Sequence, residues 1–177
     1  MMNATIESLR LAIRDVPDFP KPGIVFKDIT PLLLDAGLLA RTIDLMASPY
    51  RNAGVTRVVA IESRGFLLGA PIALALGAGL VPIRKPGRLP AAAERVEYQL
   101  EYGMDALEMH RDALAPGDRV VVVDDVLATG GTADAAGRLI AKQGATLAGF
   151  TFLIELGFLH GRSRLSGMHV EALLHYT

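Results

Sequence analysis

The residues with the clearest chemical content are the acid pair Asp124 and Asp125, followed closely by Ala128-Thr129-Gly130-Gly131-Thr132. Glycines let a phosphate approach the main chain, and the free N–H groups of a helix start favour an anion. An ionised carboxylate can only accept hydrogen bonds, so acids beside a phosphate loop call for a ligand that also carries hydroxyls or a cation. A sugar phosphate satisfies both demands, with its 5′-phosphate on Thr129, Gly130, Gly131 and Thr132 and its ribose hydroxyls on Asp124 and Asp125. No lysine follows the glycines, so this is not a P-loop, and the spacing is not that of a dinucleotide fingerprint. An ordinary strand-to-helix turn with solvated acids would explain a lone Thr-Gly-Gly-Thr; it does not explain the acids and the hydrophobic run before them.

Elements with a readable pattern must hold these groups. Val120-Val121-Val122-Val123 predicts a strand buried on both faces, ending at the two aspartates. The run from Ala133 to Lys142 is rich in helix formers, with Gly144 as a stop. Upstream, residues 38–51 show helical spacing, 56–61 a short strand, Arg64–Leu76 an apolar helix stopped by Gly77, and 80–84 another strand; 145–156 reads as a long apolar strand. This alternation predicts an α/β fold with a central, mostly parallel sheet flanked by helices on both faces. Ligands of such sheets bind at the carboxyl ends of strands. Glu62-Ser63-Arg64-Gly65 and Asp124-Asp125 both lie at such ends, which points to one shared site.

Two stretches lack this regularity. The proline-rich run 17–31 reads as stiff and irregular. Residues 85–102, beginning Pro86-Gly87, read as a long structureless connection, the usual signature of a functional flap. Together they would supply a hood and a lid.

Composition narrows the class. A chain of 177 residues fits a single domain, residues 1–177, with a core of ordinary size. Although 51% of residues are hydrophobic, no run nears the roughly 18 needed to span a bilayer. The first residues lack the basic-then-apolar pattern of a signal peptide, and the absence of cysteine excludes disulfide and thiol chemistry. A soluble cytoplasmic protein is the expectation, with neither membrane nor nucleic acid as partner, since a net charge of −1 leaves no polyanion footprint. Instead Arg64, Arg84, Lys85 and Arg88 form a local basic cluster. His110, His160, His169 and His175 show no metal-ligand spacing, and Arg162 and Arg164 near the C-terminus have no assignable purpose.

The signature around Asp124 and Asp125 resembles that of the type I phosphoribosyltransferases. Four further blocks in order make the chain similar to the branch whose acceptor is adenine: the stretch 13–32 containing Phe19-Pro20-Lys21-Pro22-Gly23-Ile24-Val25-Phe26-Lys27-Asp28, then Glu62-Ser63-Arg64-Gly65-Phe66, Pro82-Ile83-Arg84-Lys85-Pro86-Gly87, and Glu97-Tyr98-Gln99-Leu100-Glu101-Tyr102-Gly103. The resemblance covers nearly the whole chain. It implies the type I phosphoribosyltransferase fold, with a base-recognition hood at 13–32 and a flexible lid at 85–103.

The activity implied is transfer of the 5-phosphoribosyl group from phosphoribosyl pyrophosphate to N9 of adenine, giving AMP and pyrophosphate, a purine-salvage reaction. Mg2+ is implied as cofactor, carried mainly by the donor with no firm protein ligand, and a homodimer is implied as the assembly. By the same resemblance Ser63 and Arg64 hold pyrophosphate on a loop with a non-proline cis peptide, aided by Arg84 and Lys85, in part across the dimer interface. Ala128, Thr129, Gly130, Gly131 and Thr132 cradle the 5′-phosphate, Phe26 stacks on adenine, and main-chain groups of Val25 and Lys27 read its edge. Glu101 handles the proton at adenine N7 while Tyr102 excludes water; among the residues alone, Glu94 and Glu97 remain alternatives to Glu101. Glu62 stands where the family often has aspartate. The rival readings are transfer to another base and a nucleotide-sensing regulator, for whose DNA-binding domain this chain has no spare length.

Overall fold

The computed structural model describes residues 2–99 and 103–177. They group into two compact units, Met1–Leu45 and Met46–Thr177.

The first unit contains helix α1 (Met2–Leu11), strands β1 (Arg14–Pro17) and β2 (Val25–Asp28), helix α2 (Thr30–Leu34) and the start of helix α3 (Ala36–Ala47). β1 and β2 form a two-stranded antiparallel sheet in which Val16 faces Phe26 and Pro17 faces Val25. The proline-rich run is therefore not wholly irregular. Pro17 ends β1 and Pro20 and Pro22 lie in the turn, where a missing N–H costs no ladder bond. Pro31 stands in the first turn of α2, where its N–H would have no helical partner, and the proline-free Val25–Asp28 pairs. Asp28 then starts α2: its carboxylate accepts from the Thr30 N–H at 2.9 Å and from the Thr30 hydroxyl at 2.5 Å. These bonds, with Arg14 at 2.6 Å, hold its pKa down at about 2. The helical spacing over 38–51 gives out early: α3 ends at Ala47, and Pro49 sits in a 3-10 turn directly after it.

The second unit is built on a five-stranded sheet. Its strands are β3 (Arg57–Ile61), β4 (Gly79–Ile83), β7 (Arg119–Leu127), β8 (Thr146–Leu156) and β9 (Val170–Tyr176), in the order β4-β3-β7-β8-β9 and all parallel. Helix α4 (Arg64–Leu76) follows β3 and ends at Gly77, whose φ of 63° is the left-handed stop expected of it. Helix α5 (Gly131–Lys142) follows β7. Adjacent valines of β7 face opposite ways, and both faces are covered. Val120 and Val122 share a core cluster with Leu139 and Ile140 of α5, whereas the alternate residue Ala60 of β3 meets Gly69 of α4, where a side-chain Cβ would come within 2.5 Å. This double burial is why the strand is continuous valine.

From β3 the chain moves outward to β4, then returns to place β7 on the other side of β3. The direction of winding reverses between β3 and β7, so a crevice opens between their carboxyl ends.

Three expectations need correction. β7 does not end at the aspartates; it runs to Leu127, and what ends at Val123 is its pairing with β3. The stretch expected to be structureless holds a strand: β5 (Ala93–Gln99) pairs antiparallel with β6 (Met104–His110), from Ala93 opposite His110 to Gln99 opposite Met104. The alternation of buried Val96 and Tyr98 with exposed Arg95, Glu97 and Gln99 was the period-two signal for this strand. Glu101 and Tyr102 lie outside the described residues. Finally, β9 adds a strand where no element was expected.

Candidate active site

The crevice is lined by two loops. The first follows β3, where Glu62–Ser63 is a cis peptide and Arg64 is the first residue of α4. The next residue, Gly65, brings α4 against β7: a Cβ there would stand 2.9 Å from the Val123 carbonyl oxygen and 3.0 Å from the Asp124 carboxylate. No other residue type permits that approach without shifting the backbone.

The second loop follows β7. Side chains alternate across a strand, and neighbouring Asp124 and Asp125 take different partners while their carboxyl groups still interact. Asp125 is only 4% exposed and accepts from the Arg64 guanidinium Nε. Asp124 lines a small cavity with Ala128, Thr129, Gly130, Gly131, Thr132 and Phe152. Burial and the adjacent Asp125 carboxylate push the Asp124 pKa well up, against the opposing pull of the Asp125 N–H at 2.9 Å and of Arg64. Such a carboxyl gains from ligand hydroxyls that can donate to its ionised form.

The wall opposite Asp124 is main chain. Gly130 caps α5 at φ 81°, and the first intrahelical bond is Asp134 N–H to Gly130 carbonyl oxygen, 2.9 Å. The N–H groups of residues 131–133 thus precede the helical ladder and carry its positive end. A cavity with this wall on one side and a carboxyl on the other suits a phosphate joined to a polyol.

A third group of residues leaves β4. Arg84 donates Nε to Glu62 at 3.2 Å, the Lys85 N–H donates to the same carboxylate at 2.9 Å, and Arg88 lies 3.5 Å from its other oxygen. Glu62 is the hub that gathers this basic strand exit. Burial raises its pKa, but the Lys85 N–H and the Arg84 guanidinium outweigh that and hold it below the usual range. The Lys85 ammonium turns elsewhere, pairing with Asp105 and donating to the Tyr98 hydroxyl at 3.1 Å. Tyr98 also donates to Asp105 at 3.0 Å and lies 3.5 Å from the Thr132 hydroxyl. Its ring packs on the first turn of α5, where a Cβ on Gly131 would come within 3.3 Å.

Tyr98 and Asp105 were missed by sequence reasoning because their partners lie far along the chain. α5 holds the same ribbon by Arg138 to the Glu97 carbonyl and Lys142 to the Arg95 carbonyl, both 3.0 Å. Among the described residues, the structure gathers Ser63, Arg64, Asp124, Asp125 and 128–132 at one crevice. Arg84 and Lys85 stand in the neighbouring Glu62 and Asp105 networks. Val25, Phe26 and Lys27 belong to the first unit, where the Phe26 ring meets Phe19 edge-on at 5.2 Å and Lys27 pairs with Asp15 at 2.6 Å.

The loop of residues 128–132 and the acid pair lie at the switch point of a parallel sheet, and the phosphoribosyl transferase domain family matches residues 33–164. The chain is 59% identical over 169 residues to the adenine phosphoribosyltransferase of Myxococcus xanthus, covering 96% of this chain and 92% of the relative. The Rhodothermus marinus adenine phosphoribosyltransferase structure superposes with a TM-score of 0.95 at 51% identity, over 98% of this chain and 99% of that one. The Saccharomyces cerevisiae enzyme, solved with an imino-altritol bisphosphate and adenine, gives 0.92 at 40% identity, over 97% and 99%. The chain belongs to the adenine phosphoribosyltransferase family of type I phosphoribosyltransferases.

Proposed function

We infer that the protein transfers the 5-phosphoribosyl group of phosphoribosyl pyrophosphate to N9 of adenine, releasing AMP and pyrophosphate. One observation carries the reading at the donor site: Asp124 shares its small cavity with the main chain of residues 128–132, while Asp125 holds Arg64 beside it.

The 5′-phosphate binds the N–H groups of residues 131–133 and the hydroxyls of Thr129 and Thr132. Asp124 accepts from the ribose hydroxyls, and Asp125, engaged by Arg64, completes the acid pair. Pyrophosphate binds along the Ser63–Arg64 turn, where a guanidinium offers a bidentate fork, with Arg84 and Lys85 adding charge. Among the described residues no three His, Cys, Asp or Glu side chains converge on a metal position. The chemistry of the acid pair instead suits Mg2+ carried in by the donor's oxygens, where it would neutralise the leaving pyrophosphate.

Phe26 offers adenine a flat apolar face. A main-chain carbonyl accepting from the 6-amino group and an N–H donating to N1, from Val25 and Lys27, select adenine. A 6-oxo base reverses both polarities and leaves these groups unpaired at a cost of about 1–3 kcal/mol each. That the yeast relative binds adenine supports this choice of base. Glu101 passes the proton at N7, and Tyr102, with the rest of the lid at 85–103, keeps water from the anomeric carbon.

A homodimer through α4 and the edge strand β4 is in keeping with the exposure of Leu67, Leu74 and Leu80. A cytoplasmic location fits the cysteine-free composition; no helix among the described residues is long and apolar enough to cross a membrane.

The test is AMP formation from phosphoribosyl pyrophosphate and Mg2+, with adenine, hypoxanthine, guanine, xanthine and orotate run in parallel. Turnover with adenine alone is expected. Turnover with a 6-oxo purine would overturn the Val25 and Lys27 assignment, and donor binding without turnover on any base would favour a sensor.

A further inference from the structure

The phosphate loop has little of its own to hold its shape. Gly130 and Gly131 carry no side chain, and Thr129 is exposed. Support comes from behind, from the 3-10 turn Gly161–Leu165. The two backbones touch through a pair of glycines. A Cβ on Gly161 would overlap the Ala128 carbonyl oxygen and come within 2.9 Å of the Gly130 nitrogen, and a Cβ on Gly130 would overlap the Gly161 carbonyl oxygen.

The residue after Gly161 anchors this turn. Arg162 grips Glu155 with both arms of its guanidinium, Nε to Oε1 at 3.0 Å and Nη2 to Oε2 at 2.6 Å, and donates Nη1 to the Val170 carbonyl at 2.8 Å. Glu155 is 7% exposed and lies on β8 in register with Leu127, the last residue of β7 before the loop departs. The same carboxylate has His175 of β9 at 3.2 Å. One ion pair therefore ties β8, the start of β9 and the turn that backs the phosphate loop. A planar bidentate pair fixes orientation as well as distance.

We propose that Arg162, clamped on Glu155, is a positioning residue for the donor's 5′-phosphate, acting through the Gly161 backbone on residues 128–130; this rests on the reading of that loop as the phosphate site. With the clamp in place the loop N–H groups are preorganised, and the phosphate binds without first ordering them. Without it the turn relaxes from Glu155 and the loop loses its back wall. The pyrophosphate turn at Ser63–Arg64, on the other side of the crevice, does not touch this support.

The experiment is calorimetric titration of wild type, Arg162→Met and Gly161→Ala with ribose 5-phosphate and, separately, with pyrophosphate and Mg2+, alongside steady-state kinetics. For Arg162→Met, ribose 5-phosphate affinity is expected to fall about tenfold, as for a small misplacement of a binding group. KM for phosphoribosyl pyrophosphate should rise in parallel, while pyrophosphate affinity, adenine KM and kcat stay put. Retained pyrophosphate binding reports that each variant is folded. Unchanged ribose 5-phosphate affinity in both variants overturns the proposal. An equal loss of both ligands in Arg162→Met overturns it too, since the clamp would then serve general stability. Thr129→Glu, which sets a negative charge on the loop, separates the underlying reading: ribose 5-phosphate binding that survives this change places the phosphate elsewhere.

Discussion

Asp125, almost sealed in the sheet, holds the guanidinium of Arg64, the first residue of the helix that follows the neighbouring strand. The pair bridges the two strand ends that flank the switch point, so it joins the Ser63–Arg64 turn to the acid pair. It also fixes where the Arg64 fork can be offered to a ligand, because one nitrogen is already committed to Asp125.

Removing that guanidinium has two separable effects. Arg64→Met should weaken pyrophosphate binding by about 10–100-fold, the range of a lost charged hydrogen bond or two. It should also lower the melting temperature, since Asp125 is left nearly buried without its partner. Calorimetry with pyrophosphate and a thermal melt check both; full pyrophosphate affinity in a folded variant would remove Arg64 from that subsite.

Asp124 sets function against stability. Burial and Asp125 raise its pKa in the folded protein, so the ionised form is more costly folded than unfolded. Wild-type stability should then fall as pH rises from about 4, the unfolded carboxylate value, toward the raised folded value, and level off above it. Asp124→Asn should be the more stable protein at neutral pH, with the difference vanishing below about pH 4. The same change should weaken donor binding, and adding Asp125→Asn should weaken it further. Thermal melts across pH, paired with donor titrations, test this; a destabilised Asp124→Asn at pH 7 would contradict the argument.

Glu62→Gln loosens the basic strand exit. Arg84 and Arg88 lose their shared carboxylate, and KM for phosphoribosyl pyrophosphate should rise several-fold with adenine KM unchanged. Because the Glu62 pKa is depressed on folding, its stabilising contribution is present above about pH 4.3 and is lost as pH falls through the lower folded value. The stability gap between wild type and variant should therefore close in acid, which a pH series of melts reads directly.

Glu101→Gln tests the proposed proton transfer at adenine N7. Turnover should drop by about 10²–10⁴-fold, the usual worth of a general acid or base, with adenine affinity little altered. A wild-type rate would take Glu101 out of the mechanism and return attention to Glu94 and Glu97.

Much of this site was legible in local pattern. Four valines, two aspartates and a Thr-Gly-Gly-Thr turn are contiguous, and each element's period is set by its own backbone geometry, so strand, loop and helix could be read in place. Gly77 as a stop and the shared location of Glu62-Ser63-Arg64 and Asp124-Asp125 followed in the same way. The residues pointed both aspartates at the ribose hydroxyls and did not say which one would meet Arg64.

That choice needed the strand order. Whether β3 lies beside β7, with the crevice between them, depends on how crossovers wind across the sheet, and no local period records it. For the same reason the sequence was silent on Glu62 as a hub for Arg84 and Arg88, on Tyr98 reaching Thr132, and on Arg162 gripping Glu155. The last pair is only seven residues apart, but its purpose appears only when β9 completes the sheet and Gly161 lies against Gly130. Pattern along a chain encodes which face is apolar and where the backbone can turn; which charges come to share a desolvated space is decided by packing, where Coulomb attraction and burial act between residues that the chain keeps apart.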